Sequence, residues 1–271
     1  MQALDAQFHR LRLARRKALI PFIMGGDPSL STTGPLLLAL QAAGADVMEV
    51  GIPFSDPLAD GPTIQAASAR ALARGATPAK VLAAVGAVRK KLRVPVVCLS
   101  YWNPVVQFGG EGAGSSPRRF LQAARDHGIA GLIVPDVPIE EGAVLREAAR
   151  RVGIAAVFLA APTSPPARLR AIARGSEGFI YYVSLTGTTG ARRHVPPGLV
   201  QGVRQLKLLT TKPICVGFGI STPAQAAAVA RVADGVIVGS ALIRAIEQAP
   251  RRSAAAQHAA KFLRRLRQAL S

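Results

Sequence analysis

Three carboxylates lie close together at the end of one apolar strand and in the loop that follows it. The segment 47–66 reads VMEVGIPFSDPLADGPTIQA, and it contains Glu49, Asp56 and Asp60. The apolar start of this segment is typical of a buried strand, whereas its later glycines and prolines disfavour regular structure. A carboxylate at the C-terminal end of an apolar strand is poorly placed for packing and well placed for proton transfer. A single acid would more often form a salt bridge or a cap, but three acids at one strand end favour a catalytic site.

The elements that position these acids alternate along the chain, with short apolar runs separated by amphipathic runs rich in Ala, Leu and Arg. The predicted strands are 18–24, 47–51, 94–100, 131–134, 155–160, 178–183, 213–217 and 235–238. The predicted helices are 34–43, 63–74, 78–92, 117–127, 139–152, 166–174, 197–206, 223–232, 241–248 and 254–270. Eight strand–helix units predict an α/β fold in which a parallel sheet closes into a (β/α)8 TIM barrel. An open doubly wound sheet would need a nucleotide fingerprint after the first strand, and IMGGDPSL contains neither GxGxxG nor a Walker lysine.

Glycine-rich turns follow the last predicted strands, where barrels commonly bind phosphate. The run GFGIS at 217–221 follows the seventh strand, and Gly239 and Ser240 follow the eighth and begin a short helix. Glycines let backbone N–H groups approach an anion, and a helix N-terminus adds its positive end. The polar loop SLTGTTGAR after the sixth strand contains Gly190, and it could close as a lid or be an ordinary surface loop. These turns predict a phosphorylated ligand bound after strands 6, 7 and 8.

The chain is strongly basic, with 34 Lys and Arg against 15 Asp and Glu and a formal net charge of +19. Such a charge can indicate a nucleic-acid or other anionic partner. However, the basic residues are dispersed, aromatic residues make up only 5% of the chain, and no RNA- or DNA-binding motif accompanies them. We therefore favour a solvated surface with no nucleic-acid partner, and we leave the purpose of the charge open.

Composition also limits the compartment and the type of site. A length of 271 residues with 49% hydrophobic residues suits one domain that spans residues 1–271. Cys98 and Cys215 lie in apolar runs outside any CxxC or His/Cys cluster, which indicates buried thiols in a reducing compartment and no metal site. No run approaches the ~20 apolar residues that span a bilayer, and the N-terminus lacks the pattern of a secretory signal. We expect a cytoplasmic protein with no membrane contact.

Seven ordered motifs resemble the successive loops of the tryptophan synthase α subunit family. They are LIPFIMGGDPSL, MEVGIPFSDPLADGPTIQ, SYWNPVVQFG, GLIVPDVPIEE, FIYYVSLTGTTGAR, VGFGISTPAQ and DGVIVGSAL. The resemblance implies a (β/α)8 barrel and a lyase of tryptophan biosynthesis that cleaves indole-3-glycerol phosphate to indole and glyceraldehyde 3-phosphate. It further implies an α2β2 complex with a β subunit, in which pyridoxal phosphate belongs to the β subunit and this chain binds no cofactor. By the same resemblance, the loop of Asp56 and Pro57 and the segment 101–104 are candidate docking surfaces.

The resemblance also assigns roles to single residues. Glu49 matches the family's acid–base group, Asp60 the carboxylate that faces the indole nitrogen, and Tyr181 the tyrosine beside the glutamate, although a core aromatic would also suit strand six. The residues that match the indole contacts are Phe22, Leu99, Tyr101, Ile133, Phe218 and Ile237. Those that match the phosphate site are Gly190, Gly219, Gly239 and Ser240, and Thr189 matches the lid threonine that bonds the second carboxylate. Asp27 is interpreted as a loop cap or an aid to the active loop.

Two other functions remain open from the sequence. Another phosphate-binding barrel enzyme, such as a sugar-phosphate isomerase, would need other acids and lysines at the strand ends, and no lysine falls at such a position. A non-catalytic barrel could use the basic surface to bind a polyanion, which salt-dependent retention without lyase turnover would reveal. The presence of Glu49, Asp60 and the lid sequence favours the lyase.

Overall fold

The computed structural model describes residues 3–109, 116–183, 197–217 and 219–270. The lid residues Thr189 and Gly190 and the indole contact Phe218 lie outside the described residues, as does most of the Gly/Ser-rich loop at 109–117. The roles of these residues in the site stay predictions.

The strands form one parallel sheet that closes on itself. In the described residues the strands are β1 Ala18–Met24, β2 Met48–Gly51, β3 Val96–Leu99, β4 Ile129–Ile133, β5 Ala155–Val157, β6 Leu159–Ala160, β7 Ile180–Val183, β8 Ile214–Gly217 and β9 Gly235–Val238. Their order in the sheet is β5-β4-β3-β2-β1-β9-β8-β7-β6. Because β5 and β6 are consecutive in the chain, the two edges of this sheet meet, and the predicted (β/α)8 barrel is confirmed.

The fifth predicted strand, 155–160, is wrong as one continuous strand. Its first part pairs with β4 and its second part with β7, and Phe158 lies between them. The Phe158 N–H donates to Ser176 Oγ at 3.0 Å instead of to a neighbouring strand, and this bond interrupts the ladder. The barrel therefore has eight strand positions, one of which is divided.

Helices surround the barrel and close one of its ends. In the described residues they are α1 Ala3–Leu13, α2 Leu30–Ala42, α3 Pro62–Ala73, α4 Pro78–Gly86, α5 Trp102–Val106, α6 Arg118–Asp126, α7 Ala143–Val152, α8 Pro166–Gly175, α9 Pro197–Leu209, α10 Pro223–Ala230, α11 Ser240–Glu247 and α12 Ala255–Gln268. The predicted set lacks α1 and α5. In the described part of the chain, none of the helices has the length and apolar character needed to cross a membrane.

Strand alternation divides the core into two layers. One layer lies inside the barrel, where Ile20, Val47 and Val97 pack with Phe8 and Leu11 of α1. The other layer lies between the strands and the surrounding helices, and it contains the alternate strand residues. Since α1 fills the N-terminal end of the barrel, only the C-terminal strand ends remain to form a pocket inside it.

Tyr182 places an unfavourable polar group in the outer layer of the core. Its side chain is fully buried, and its hydroxyl has no hydrogen-bond partner in the described residues. An unsatisfied buried hydroxyl costs roughly 1–3 kcal/mol. We expect Tyr182→Phe to raise the free energy of unfolding by about 1 kcal/mol, which thermal denaturation will show as a melting temperature about 2–4 °C higher.

A second substitution makes this test specific. A Cβ on Gly202 of α9 would lie 1.8 Å from the Tyr182 hydroxyl oxygen. Gly202→Ala should therefore destabilise the protein, and Tyr182→Phe should restore part of that loss in the double variant. A destabilised Tyr182→Phe protein would show that the hydroxyl finds a partner in solution.

Candidate active site

Glu49 lies inside the barrel, at the centre of the predicted site. Val47 faces the interior, so the period-two alternation of β2 turns Glu49 the same way, beside Phe22 of β1 and Val97 of β3. Its side chain is 1% exposed, and neither carboxylate oxygen has a hydrogen-bond partner in the described residues. Burial, with the nearby Asp60 charge as a second cause, raises the pKa of Glu49 to about 8. The group is therefore mostly protonated at neutral pH and can donate a proton.

Asp60 comes from the loop after β2, immediately before α3. Gly61 caps this helix and Pro62 begins it, which fixes the position of the loop end. Burial raises the pKa of Asp60 to about 6, and a hydrogen bond from the Tyr101 side chain lowers it. At neutral pH Asp60 is mostly ionised, so the site combines one protonated and one charged carboxyl group.

Tyr101 has a role that the sequence did not reveal. Its hydroxyl accepts a hydrogen bond from the Ala59 N–H at 2.9 Å and bonds the Asp60 carboxylate. Its ring also packs on Phe54, with 5.4 Å between the ring centroids. Burial and the Asp60 charge raise the pKa of Tyr101, so the hydroxyl stays protonated and remains a donor. Tyr101 thus fixes the loop that carries Asp60, in addition to its predicted place at the indole end.

Tyr181 of β7 faces the same interior as Glu49. Burial raises the pKa of Tyr181 well above its usual value, and the charges of Glu49 and Asp60 raise it further. Its ring packs against the backbone of Gly217 in β8. A Cβ atom added at Gly217 would lie only 2.8 Å from this ring. The structure therefore brings together the three residues Glu49, Asp60 and Tyr181.

Apolar side chains surround these polar groups. Phe22, Ile133 and Ile237 are almost fully buried, and Leu99 is partly buried. The Phe22 ring lies against Gly51, where a Cβ would come within 2.7 Å of it. These four residues and Tyr101 lie on the strands and strand ends around Glu49, as predicted for an apolar ring contact.

Two of the glycines predicted to bind phosphate, Gly219 and Gly239, follow the neighbouring strands β8 and β9. Gly219 has a φ of +36° and open space around its Cα, so its backbone is accessible. Gly239 caps α11, and its carbonyl accepts the N–H groups of Leu242 and Ile243. Ser240 begins α11, so its own N–H and the positive end of the helix are available to an anion. A Cβ on Gly239 would lie 3.7 Å from Phe22, which places this turn beside the apolar region.

Comparison with known proteins assigns the family. A model of the tryptophan synthase alpha chain family matches residues 8–271. The chain belongs to the tryptophan synthase alpha chain family. The tryptophan synthase alpha chain of Gloeobacter violaceus is 48% identical over 263 residues, which cover 97% of this chain and 92% of that protein. The one from Geotalea daltonii is 47% identical over 248 residues, 92% of this chain and 91% of that protein.

Solved structures of the family agree with the fold. Tryptophan synthase subunit alpha from Legionella pneumophila superposes with a TM-score of 0.89 at 38% identity, covering 100% of this chain and 98% of that chain. A chain of tryptophan synthase from M. tuberculosis in an aminoacrylate-bound form gives a TM-score of 0.86 at 32% identity and covers 100% of both chains. Membership of the tryptophan synthase alpha chain family makes this chain a carbon–carbon lyase of tryptophan biosynthesis.

In this alpha chain, long-range ion pairs brace the two helices that begin at the site. Arg70 of α3 donates to Asp27 at 2.7 Å and to Glu247 of α11 at 3.1 Å. Arg244 of α11 also donates to Thr63 near the start of α3 at 3.2 Å. Asp27 therefore pairs with α3, the helix that follows the loop of Asp60, and its role as a loop cap or an aid to the active loop stays a prediction. The partners are far apart in sequence, so no local pattern indicates these pairs.

The described residues contain no group of three or more His, Cys, Asp or Glu side chains arranged to hold a metal ion.

Proposed function

We propose that Glu49 and Asp60 catalyse the retro-aldol cleavage of indole-3-glycerol phosphate to indole and glyceraldehyde 3-phosphate. The observation that carries this proposal is a fully buried glutamic acid without a hydrogen-bond partner in the described residues, close to a second carboxyl group at an apolar barrel end. Burial raises the pKa of Glu49 to about 8 and that of Asp60 to about 6, which favours a protonated Glu49 and an ionised Asp60 at neutral pH. Carbon–carbon cleavage of a 3-substituted indole needs a proton donor at the ring carbon and an anion near the ring nitrogen, and this pair can provide both.

Glu49 acts first as an acid and then as a base. Its proton adds to indole C3, so that positive charge develops at the ring nitrogen. The resulting Glu49 carboxylate then takes the proton of the side-chain hydroxyl on the adjacent carbon. As that C–O group becomes the aldehyde, the electrons of the carbon–carbon bond return to the ring and release indole. Glu49 ends protonated, as it began, and each such proton transfer contributes roughly 10²- to 10⁴-fold to the rate.

Asp60 stabilises the cationic ring without transferring a proton. Its carboxylate accepts a hydrogen bond from the ring N–H, and this bond strengthens as the nitrogen becomes positive. Tyr101 supports this role because its hydroxyl bonds Asp60 and the Ala59 N–H, which keeps the carboxylate in place and ionised. Tyr181 faces the same interior as Glu49 and stays a neutral phenol, because burial raises its pKa well above the usual value.

The remaining predicted contacts divide between the two ends of the substrate. We assign the apolar residues Phe22, Leu99, Ile133 and Ile237 to the indole ring. The backbone N–H groups of Gly219, Gly239 and Ser240 bind the phosphate. The positive N-terminal end of α11 adds electrostatic attraction for this anion. Phe218, Thr189 and Gly190 are proposed to complete the pocket as ring contact, lid and fourth phosphate contact.

A β subunit is the proposed partner, in an α2β2 complex whose pyridoxal phosphate the β subunit binds. The rim of the active end supports this, because Leu58, beside Asp56 and Pro57, has an exposed fraction of 89%. An apolar groove of about 460 Å³ also lies at this rim. It is lined by Pro53, Phe54, Ser55, Leu72, Thr77, Pro78, Ala79, Pro104, Gln107, Phe108 and Gly109. Exposed apolar surface at a rim is typical of a protein interface.

We further propose that the protein works in the cytoplasm and that residues 1–271 form one domain. Cys98 and Cys215 are free and buried, which suits a reducing compartment. Every described strand joins the same sheet, which supports a single structural unit.

Indole release from indole-3-glycerol phosphate tests the proposal. The purified chain should form indole slowly alone and faster when a β subunit is added, and equimolar glyceraldehyde 3-phosphate should appear. The β subunit alone and heat-denatured chain serve as controls. Folded protein that forms no indole under either condition would contradict the proposed reaction.

A further inference from the structure

A basic groove lies at the end of the barrel opposite Glu49 and Asp60. It encloses about 550 Å³, a volume within the usual range for small-molecule sites. Its lining residues are Phe8, Leu11, Arg12, Arg15, Arg16, Lys17, Lys207, Thr210, Thr211, Lys212, Pro213 and Asp234. Lys17, Pro213 and Asp234 immediately precede β1, β8 and β9, so the groove adjoins the N-terminal strand ends. The seven residues of β1 span roughly 20 Å, which separates this groove from the substrate's phosphate site.

The groove carries more positive charge than its own acid can neutralise. Six of its lining side chains are cationic and one, Asp234, is anionic, which leaves a formal charge of +5. Asp234 pairs with Lys207 at 3.0 Å and with Lys17 at 4.0 Å, and Lys17 also donates to the Ala233 carbonyl. Asp46, outside the groove, pairs with Arg16 at 3.4 Å and compensates that charge. The side chains of Arg12 and Arg15 have no hydrogen bond or ion pair to any residue that the structure describes. Concentrated, uncompensated charge in a concave site attracts anions.

The backbone at Arg15 is an independent indication of function. Arg15 N–H donates to the Arg12 carbonyl and Arg16 N–H to the Leu11 carbonyl, the pattern of a Schellman motif that ends α1. Arg15 occupies the left-handed position of this motif with a φ of +51°, where glycine or asparagine would be less strained. A strained arginine at the rim of a cationic groove is better explained by its charge than by its conformation.

Two lysines of the groove add to its positive charge. Lys212 Nζ donates to three carbonyls near the end of α8, those of Ala173, Arg174 and Ser176, and this fixes one wall. Burial is the largest cause and lowers the pKa of Lys17. The charge of Asp234 raises this pKa, and the charge of Lys207 lowers it. A bound anion would relieve the repulsion between these cations.

We propose that this groove binds a compact polyphosphate anion, free or as part of a nucleoside triphosphate. Arg12 and Arg15, whose side chains have no partner in the described residues, supply the main contacts to the phosphate chain, since arginine binds phosphate readily. Arg16 and Lys17 line the groove beside them and add positive charge. Pro213 is partly exposed and adds apolar surface on which a nucleobase can rest, whereas Phe8 and Leu11 belong to the buried core beneath the groove. Tripolyphosphate and ATP share the phosphate chain, and comparing them separates the two sources.

Calorimetric titration of the full chain tests the site, at low salt with tripolyphosphate, ATP or adenosine. We expect both polyphosphates to bind and adenosine not to bind, and ATP to bind more tightly if the apolar surface holds the base. The double variant Arg12→Ala, Arg15→Gly should bind at least about tenfold more weakly. The matched control, Arg118→Ala, Arg119→Ala on α6, removes the same charge from exposed positions elsewhere and should keep the affinity. Equal losses in both variants would overturn the proposal, because the overall charge would then explain binding.

Thermal denaturation distinguishes binding from a structural role of Arg15. Without ligand, Arg15→Gly should melt at the same or a higher temperature than the wild type, since it removes the left-handed strain. Added tripolyphosphate should raise the melting temperature of the wild type, and this rise should be smaller in Arg15→Gly. A lower melting temperature without ligand and an unchanged rise would overturn the proposal. Tighter binding of a single-stranded oligonucleotide at the same residues would also overturn it, in favour of nucleic acid.

Discussion

Glu49→Gln is expected to lower the rate of indole formation by roughly 10²- to 10⁴-fold or more, because the amide can neither donate nor accept the transferred proton. The substitution preserves the shape of the side chain, so the apolar and phosphate contacts should remain. Substrate affinity should therefore change little while kcat falls. Steady-state kinetics with the β subunit present will separate the two effects.

The free energy of unfolding of Glu49→Gln, relative to that of the wild type, should increase as the pH rises. The same measurement shows that the variant is folded, so misfolding is excluded as the cause of lost activity. The pKa of Glu49 is about 8 in the folded protein against 4.5 as its ordinary value. Because the folded state disfavours the charged form, the wild type loses stability between these two pH values, and the glutamine variant does not. The difference in unfolding free energy should grow by about 3 kcal/mol from pH 4.5 to pH 7.

A matched control is Glu141→Gln, which makes the same chemical change at an exposed position. It should alter neither the rate nor the pH dependence of stability. A Glu49→Gln protein that turns over within about tenfold of the wild type would rule out Glu49 as the acid–base group, since general acid–base catalysis contributes more than that.

The sequence was sufficient to predict the barrel and the position of Glu49. Strand and helix periodicity is local, and alternation along β2 alone determines that Glu49 shares a face with Val47. The division of the fifth strand was not predictable, because it depends on a hydrogen bond from Phe158 to Ser176, which lies 18 residues further along the chain. A short apolar run gives no sign of such a competing bond.

The parts of the site that were missed involve contacts between distant segments. Tyr101 was predicted as an apolar ring contact, and nothing around it indicated that its hydroxyl would bond Ala59 and Asp60. The basic residues of α1 were visible in the sequence, but only the closed barrel brings them to Lys207 and Lys212. Local patterns therefore predict candidate reactive groups, and the fold is needed to show which residues surround them.

The pH dependence of kcat/KM should be bell-shaped, because the proposed mechanism needs Glu49 protonated and Asp60 ionised. Activity should fall below about pH 6, where Asp60 gains a proton, and above about pH 8, where Glu49 loses its own. Each limb should approach a tenfold change per pH unit. Initial rates of indole formation between pH 5 and 9, at low substrate concentration, measure this profile.

Tyr101→Phe identifies the group behind the acid limb. The substrate's phosphate also titrates near pH 6, so the wild-type profile alone cannot assign that limb to the protein. The Tyr101 hydroxyl lowers the pKa of Asp60, so its removal should raise that pKa and move the acid limb to higher pH. The substrate's own titration would not move, and the basic limb at Glu49 should stay in place. Two results would contradict this assignment: an acid limb that does not move in Tyr101→Phe, or an acid limb that remains in Asp60→Asn. Either would assign the acid limb to the substrate's phosphate, and the reaction would then not need an ionised Asp60.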